Sequence, residues 1–328
     1  EPRWDKKEFA LIKQQTISQI LQQEAHPRSV ADNKFNELIY GENNIRAKNV
    51  LGSEDSVESI SLADVKTFYQ KYISPNQTRV HIVGALDKKS ALASLSELKA
   101  NWPSSKVTQP NLVTPSKPQQ SKVYFYDVPN AKQTVVNIGY AALAAIDKDY
   151  YPATIMNYIL GGGSFASQLT QSLREGKGYT YGIYSRFTGT KDPGTFRIFS
   201  QVRSNVTLES AELIKEILEN YGKEYSQQDL ATSKSFLIKS NARAFETANA
   251  KLGLLDNISK YNWPKDYVKQ REKTVKNIRV KEVKALADKY LNPNQMIWFF
   301  VGDANTQLPR LKALGYGEPI LLNPPKVE

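Results

Sequence analysis

The sequence predicts an α+β protein of two domains, and three observations support this fold class. Beyond residue 122, strand-like segments rich in β-branched and aromatic residues alternate with segments of helical periodicity. One stretch of 31 residues recurs later in the chain, and a proline-rich segment lies between the two copies. The length of 328 residues is sufficient for two domains, each with a sizeable core.

The repeat relates residues 56–86 to residues 274–304 without gaps, at a constant offset of 218 residues. Eleven of the 31 positions are identical, and they include a shared Lys-Tyr-x-x-Pro-Asn-Gln turn. A repeat of this length indicates a duplicated structural unit. Only 55 residues precede the first copy, whereas about 150 residues of the second domain precede the second copy. We therefore expect an incomplete first domain, because the chain is a piece of a longer protein or because another chain supplies the missing part.

Periodicity and turn residues divide the chain into a first domain over 1–102, a linker over 103–122 and a second domain over 123–328. The linker is predicted from its four prolines among Ser, Gln and Lys. In the first domain we expect helices over 5–25, 31–40 and 61–72, the last capped by Ser61, and a strand over 78–84. In the second domain we expect one helix over 150–160, one that begins at Ser164, one over 208–221 and further helices up to residue 290. The strands expected there cover residues 123–128, 134–142, 179–188, 194–202 and 296–302.

Composition excludes several classes of function. The chain has no cysteine, so it forms no disulfide and uses no thiolate chemistry. Its net charge of +11 favours acidic partners or anionic surfaces, but the lysines are scattered and no nucleic-acid motif is present, so nucleic-acid binding is not expected. No apolar run is long enough for a transmembrane helix. The chain begins with Glu1 rather than Met, which leaves open a removed targeting segment.

The most informative stretch runs from Leu160 to Tyr181. Three glycines, Gly161–Gly163, predict a sharp and close-packed backbone turn, which suits residues that tolerate positive φ. Ser164 is a candidate N-cap for the following helix, which is expected to end at Gly176 and Gly178. Arg174 and Tyr181, seven residues apart, lie on the two sides of the helix-to-strand turn.

Two other interpretations of this stretch are open. A phosphate-binding loop is disfavoured, because the glycines follow a helix rather than a strand and no Gly-Lys-Ser/Thr is present. A purely structural interpretation gives the glycines a packing role, places Arg174 on a solvated face and places Tyr181 in a sheet.

The letters LGGGSFASQL, followed by LREGKGYTYG, resemble the second-domain signature of the pitrilysin/insulinase-type zinc peptidases. The resemblance implies two homologous metallopeptidase-like α/β sandwich domains, each a mixed sheet covered by helices. It also implies that Arg174 and Tyr181 contact the substrate and stabilise the transition state at a zinc centre of another domain or chain. The residues that it assigns to peptide binding are Gly161, Gly162, Gly163, Ser164 and Phe165.

No metal site is expected in this chain. Its two histidines, His26 and His81, belong to no His-x-x-Glu-His pattern, and both are read as structural. The helix over 9–21 resembles the family helix that carries the distal glutamate ligand, yet it has glutamines there and no carboxylate until Glu24. A neutral amide is a poor zinc ligand. The expected zinc therefore belongs to a partner domain or subunit.

The sequence thus predicts the subunit without zinc of a bacterial metallopeptidase, which encloses peptides together with a zinc-bearing subunit or a second copy of itself. One alternative is an inactive structural or peptide-binding homologue. The other is an active zinc peptidase whose His-x-x-Glu-His lies upstream of residue 1. A periplasmic location is expected only because of the resemblance to this family.

The first prediction concerns zinc. Because structural and catalytic sites need three or four suitably spaced ligands, the purified chain should hold no stoichiometric zinc at neutral pH. Elemental analysis after dialysis checks this, and one tightly held zinc per chain would contradict the expectation.

Overall fold

The computed structural model describes residues 2–108, 112–113 and 115–323. In chain order, the helices are α1 (Lys6–Ala25), α2 (Pro27–Tyr40), α3 (Glu54–Ser59), α4 (Leu62–Tyr72), α5 (Lys88–Ser94), α6 (Ser96–Asn101), α7 (Tyr150–Asn157), α8 (Thr207–Glu224), α9 (Gln227–Arg243), α10 (Ala248–Tyr261), α11 (Tyr267–Asn277), α12 (Val280–Tyr290) and α13 (Ala304–Gln307). The strands are β1 (Lys122–Asp127), β2 (Gln133–Ala141), β3 (Thr180–Thr188), β4 (Thr195–Arg203), β5 (Ile297–Gly302) and β6 (Ile320–Leu321). Within these ranges, no helix is both long and apolar enough to cross a membrane.

The chain forms two compact units that are each assembled from separate segments. The first comprises Glu1–Ala25, Asn49–Leu112 and Asn241–Pro264, and the second comprises His26–Lys48, Val113–Ser240 and Lys265–Glu328. These units do not follow the order of the sequence as the predicted domains do, because α2 belongs with the sheet and α10 belongs with the first unit. The division into homologous domains stays a prediction. Part of its linker, residues 109–111 and 114, lies outside the described residues.

The second unit contains one mixed sheet, and its described strands have the order β3-β4-β2-β5-β1-β6. Strand β5 runs parallel to β1 and antiparallel to β2, and β4 joins β2 to the edge strand β3 by antiparallel pairing. The five strands predicted after residue 122 are confirmed within one or two residues. The short strand β6 was not predicted, because two residues carry no alternation pattern.

Helices cover both faces of this sheet. On one face, α7, α8 and α12 pack on alternate residues of β2 and β4 such as Val136, Ile138 and Ile198. On the other face, α2 places Phe35 against Phe299 of β5 at a ring-centroid distance of 6.5 Å. Each face therefore has its own apolar core, as the mixed-sheet fold class predicts.

The internal repeat has an exact structural counterpart in its helical part. Helix α4 and helix α12 begin and end at positions 218 residues apart, and so do the 3₁₀ turns Pro75–Gln77 and Pro293–Gln295. Ser61 caps α4 as predicted, by accepting a hydrogen bond of 3.2 Å from the Asp64 N–H. The duplication is thus visible as a helix and a turn in each unit.

The strand predicted over 78–84 is wrong. Its repeat partner β5 is fully buried and hydrogen-bonded on both sides, to β1 and β2. The first unit has no strand among its described residues, so residues 78–84 have no ladder to join and stay irregular. A strand needs neighbours for its N–H and C=O groups, and sequence pattern alone does not supply them.

The apolar face of the repeated helix shows the same contrast. Val283, Leu286 and Tyr290 of α12 are buried beneath the sheet. The equivalent Phe68 of α4 is 57% exposed, and α4 has no buried residue. The same periodic pattern thus gives a core in one unit and an uncovered apolar surface in the other.

Helices α7 and α12 are also joined by a polar contact. The Asp149 carboxylate accepts hydrogen bonds from Lys289 Nζ (2.7 Å) and from the Tyr290 hydroxyl (2.8 Å). The hydrogen bond from Lys289 lowers the pKa of the Asp149 carboxyl below its ordinary value, although burial opposes this shift. The ionised carboxylate is therefore the form that stabilises the fold.

The second prediction follows from this pair. Asp149→Asn should lower the free energy of unfolding by about 1 kcal/mol at pH 7, the scale of a partly exposed ion pair. The folded-state pKa is lowered, so this contribution is present above the ordinary carboxyl value of 3.8 and is lost as pH falls below it. Urea denaturation of both proteins at pH 7 and pH 3 measures the difference.

The control is Asp288→Asn, which removes the same charge from an exposed position of α12. It should leave stability unchanged at both pH values. A loss for Asp149→Asn that persists undiminished at pH 3 would contradict the ionic explanation.

Candidate functional site

The stretch between α7 and β3 departs from regular α-helix over most of its length. Helix α7 ends at Asn157 and continues as a π-helical turn over Tyr158–Gly162. A 3₁₀ turn follows at Ser164–Ala166, and a second π-helical segment covers Thr170–Gly176. The two predicted helices are therefore present, but both widen to the i→i+5 pattern. Such widening is rare and is concentrated at functional sites.

The triple glycine is needed for close approach rather than for positive φ. A Cβ at Gly161 would lie 2.5 Å from the backbone nitrogen of Ser185 and 2.9 Å from Leu169. None of the three glycines has positive φ; the left-handed position is taken by Ser164, with φ of 50°. The prediction of a close-packed turn is confirmed, and of the two properties that favour glycine there, close backbone approach rather than positive φ is the one that the structure uses.

The predicted N-cap is displaced by three residues. The Ser167 hydroxyl, not that of Ser164, accepts the hydrogen bond from the Thr170 N–H (3.4 Å). Ser164 occupies the 3₁₀ turn, and its carbonyl oxygen lies 2.8 Å from the Ser167 hydroxyl. The 3₁₀ turn at Ser164–Ala166 thus lies between the glycines and the helix, so the helix begins three residues later than predicted. The residue types alone did not indicate this turn, since both serines are suitable N-caps.

A buried polar pair fixes the loop to the sheet. The Asn157 Nδ2 donates to the Ser185 carbonyl oxygen (2.7 Å), and the Ser185 hydroxyl donates to Asn157 Oδ1 (2.6 Å). Both residues are buried, so each hydrogen bond is costly to break. The C-terminal end of α7 is therefore held against β3 at the position where Gly161 makes its close approach.

The far end of the second helix stops at a glycine, as predicted. Gly178 has φ of 62°, and its N–H donates to the Arg174 carbonyl oxygen (3.0 Å). The Tyr179 N–H reaches back to the Leu173 carbonyl oxygen (2.9 Å). This resembles the usual glycine cap widened by one residue, in keeping with the π-helical geometry before it.

Arg174 and Phe165 are brought together. The Arg174 guanidinium carbon lies 4.8 Å from the Phe165 ring centroid, and its Nε lies 3.3 Å from the neighbouring Glu175 carboxylate. Gln171 Nε2 donates to the Phe165 carbonyl oxygen (2.5 Å), which orients that residue from the backbone. The Phe165 side chain is 58% exposed. A cation stacked on an exposed ring is a contact that leaves donors free for a ligand.

Tyr181 lies in an irregularity at the start of β3. The register between β3 and β4 shifts between Thr180 and Ile183, and the Thr180 hydroxyl bridges the gap by accepting from the Gly182 N–H (3.0 Å). Tyr181 is 91% exposed, and no hydrogen bond or ring contact involves its side chain among the described residues. Bulges of this kind redirect a side chain away from the sheet.

The structure therefore unites one predicted catalytic residue, Arg174, with one predicted peptide-binding residue, Phe165. Tyr181 is presented separately, at the other end of the turn. The supporting residues Gln171 and Thr180 were missed, because their roles depend on a π-helical segment and a bulge that leave no pattern in the sequence. The catalytic and substrate-binding roles themselves stay predictions.

Metal-binding side chains are not grouped here. Among the described residues, no three His, Cys, Asp or Glu side chains lie close enough together to hold an ion. His26 precedes α2 in the second unit, whereas His81 belongs to the irregular segment of the first unit.

The chain matches known proteins over most of its length. A family model described as the peptidase M16 inactive domain matches residues 59–237, more than half of the chain. A non-peptidase homologue from Helicobacter pylori is 23% identical over 92% of this chain and 69% of its own length. An uncharacterised zinc protease of Bacillus subtilis is 22% identical over 76% of this chain, which spans 59% of that protein.

A solved structure has the same fold. The crystal structure of a peptidase M16 inactive domain from Pseudomonas fluorescens superposes with a TM-score of 0.85 at 27% identity. The superposition covers 92% of this chain and 72% of that one. The chain is thus similar to proteins that are longer than itself.

The third prediction concerns the close approach at Gly161. Gly161→Ala should lower the free energy of unfolding by about 1–3 kcal/mol, because the added methyl group meets the Ser185 backbone. The matched control is Gly253→Ala in α10, where nothing lies within 4 Å of the added carbon. The control should be neutral or stabilising by up to about 1 kcal/mol, since alanine favours the helix. Urea denaturation followed by circular dichroism compares them, and equal stabilities would show that the loop tolerates movement.

Proposed function

Because this chain belongs to the family of the peptidase M16 inactive domain, we propose that it is a peptide-binding component that serves a zinc centre on another domain or subunit. In this proposal Arg174 and Tyr181 contact the peptide backbone and stabilise the transition state. The glycine loop Gly161–Gly163, with Ser164 and Phe165, forms the surface against which the peptide lies. The chain itself is a catalytically inactive homologue.

The observation that carries the proposal is the exposure of reactive side chains on a fixed backbone. The Arg174–Phe165 stack and the hydroxyl of Tyr181 face solvent. The segments that bear them are held by buried hydrogen bonds, such as those of Asn157 with Ser185. Exposed donors on a fixed backbone lose little freedom when a ligand binds, which favours binding and catalysis alike.

The chemistry suits these residue types. Hydrolysis of a peptide bond builds negative charge on the former carbonyl oxygen, and a zinc-bearing partner would supply the activated water. The Arg174 guanidinium and the Tyr181 hydroxyl are both donors, and donors fixed near that oxygen lower the barrier. The guanidinium can also hold a second carbonyl oxygen of the peptide, because its donors form a fork.

Two alternatives remain within the family. A purely structural or peptide-binding homologue would keep Arg174 and Tyr181 without using them in hydrolysis. An active peptidase would carry His-x-x-Glu-His in a segment upstream of residue 1. A sequence read upstream of residue 1 that contains His-x-x-Glu-His would favour the second alternative, and the kinetic experiment below distinguishes the first.

The partner and the compartment are part of the proposal. The partner is a zinc-bearing peptidase subunit or a second copy of this chain, and the two relatives named above, from Helicobacter pylori and Bacillus subtilis, are bacterial. The periplasmic location rests on the family resemblance alone. Copurification of the native protein, followed by identification of the bound chains, tests the partner.

The fourth prediction is kinetic. In the reconstituted complex, Arg174→Ala and Tyr181→Phe should each lower kcat for peptide hydrolysis by about 10- to 1,000-fold, the range for loss of an oxyanion donor. Affinity for the partner subunit should change little, because in this proposal both side chains act on the bound peptide rather than on the partner. Lys177→Ala and Tyr179→Phe are the matched controls in the same turn, and neither should lower kcat. Unchanged kcat in the Arg174→Ala/Tyr181→Phe double variant would support the purely structural or peptide-binding homologue instead.

A further inference from the structure

A group of arginine and aromatic side chains lies on the face of the sheet that α2 only partly covers. Arg186 on β3 and Arg197 on β4 are direct cross-strand partners, and so are Tyr184 and Phe199. Arg28 of α2 contacts the Phe199 ring. We call these five residues the arginine face. It belongs entirely to the second unit, and it shares no residue with the glycine loop or with the Arg174 turn.

Arg197 is the fixed centre of this group. Its side chain is only 14% exposed, and it forms an ion pair with Asp32 of α2. Its Nε donates to the Asn137 side-chain oxygen (2.8 Å), and its guanidinium carbon lies 5.1 Å from the Phe35 ring centroid. The guanidinium of Arg197 is therefore a structural support for its neighbours rather than a free binding group.

Two guanidinium groups lie near the Phe199 ring. Arg28 lies 4.7 Å from its ring centroid, and Arg197 lies 5.4 Å from it. The contact with the ring holds the Arg28 guanidinium near the sheet while the residue stays exposed. Tyr184, which is 51% exposed, flanks Phe199 from the neighbouring strand.

Among the residues that the structure describes, the positive charges of this surface exceed the negative charges paired with them. Three guanidinium groups face one carboxylate, that of Asp32, which already pairs with Arg197. Arg186 is exposed and has no ion-pair partner among the described residues. Like charges directly opposite each other on neighbouring strands are destabilising. Burial lowers the pKa of the Arg197 guanidinium, and the charges of Arg186 and Arg28 add to this shift, whereas the Asp32 carboxylate opposes it.

We propose that the arginine face binds an acidic polypeptide segment, with carboxylate side chains placed between the guanidinium groups of Arg28 and Arg186 and apolar atoms against Tyr184 and Phe199. A carboxylate at that position would neutralise part of the positive charge of Arg28 and Arg186. Arg is suited to this ligand because its planar fork binds both carboxylate oxygens.

The mixed character of the surface favours a peptide over a simple anion or a nucleic acid. Arginine and tyrosine are enriched at protein interfaces, where aromatic area contributes as much as charge. A free phosphate would use the guanidinium groups and leave Tyr184 and Phe199 uncovered. The lysine-rich stripe that follows a nucleic-acid backbone is absent from this face in the described residues, whose cations here are all arginine.

The experiment measures fluorescence anisotropy of a labelled peptide of alternating Glu and Leu with the full chain at low salt. Arg186→Gln should weaken binding by about tenfold, and Arg28→Gln should weaken it similarly. Arg186→Gln should not lower the melting temperature, because Arg186 has no ion-pair partner among the described residues and its removal relieves repulsion with Arg197. Lys239→Gln, an exposed charge on α9, is the charge-matched control and should bind like the unaltered chain.

The other arms separate this proposal from its rivals. The same peptide with Gln in place of Glu should bind at least tenfold more weakly, and affinity should fall with added salt. Arg174→Gln should leave binding unchanged; if it weakens binding while Arg186→Gln does not, the peptide occupies the Arg174 turn and the proposal is overturned. Equal affinity for a single-stranded oligonucleotide, with the same loss in Arg186→Gln, would overturn it as well by showing a general polyanion site.

Discussion

The pairing of β5 is the constraint on which the rest of the structure depends. All six residues of this strand are buried, and its backbone is bonded on one side to β1 and on the other to β2. Buried N–H and C=O groups that lack partners cost about as much as a lost hydrogen bond each, so the strand exists only where both neighbours exist. Its Phe299 and Trp298 point to opposite faces, and each face requires its own layer of helices.

The candidate site is a consequence of how that sheet ends. The edge strand β3 has a partner on one side only, so it can accept an irregular register between Thr180 and Ile183 without breaking a second ladder. The π-helical turn after α7 reaches the same strand, and the absence of a side chain at Gly161 lets the two backbones meet. The exposed position of Tyr181 and the widened helix that bears Arg174 thus arise from two irregularities that share one strand.

Much of this fold was predictable from periodicity, and what was not depends on contacts remote in sequence. The strands after residue 122 and the ends of α4 follow from alternation and from Ser61, which are local signals. Residues 78–84 carry the same local signal as β5 and yet form no strand, because the deciding contacts lie elsewhere in the chain. Near the site, the glycines and the spacing of Arg174 and Tyr181 were visible. The π-helical widening and the bulge were not, since they reflect packing on β3 rather than residue type.

The Arg174 turn and the arginine face differ in how the chain holds their guanidinium groups. This difference affects which ligand each surface can bind. Arg174 stacks on Phe165, nine residues away, and its donors stay largely free, which suits a small and transient charge such as a developing oxyanion. Arg28 and Arg186 lie on elements that only the folded sheet brings together, around the buried pair of Arg197 and Asp32. Arg28 of α2 and Arg186 of β3 have no ion-pair partner among the described residues, and holding such like charges near Arg197 costs stability in the free protein, which a bound carboxylate recovers. A surface of that kind selects a ligand with permanent negative charge, so the two sites are suited to different parts of a polypeptide: its backbone at the Arg174 turn and its acidic side chains at the arginine face.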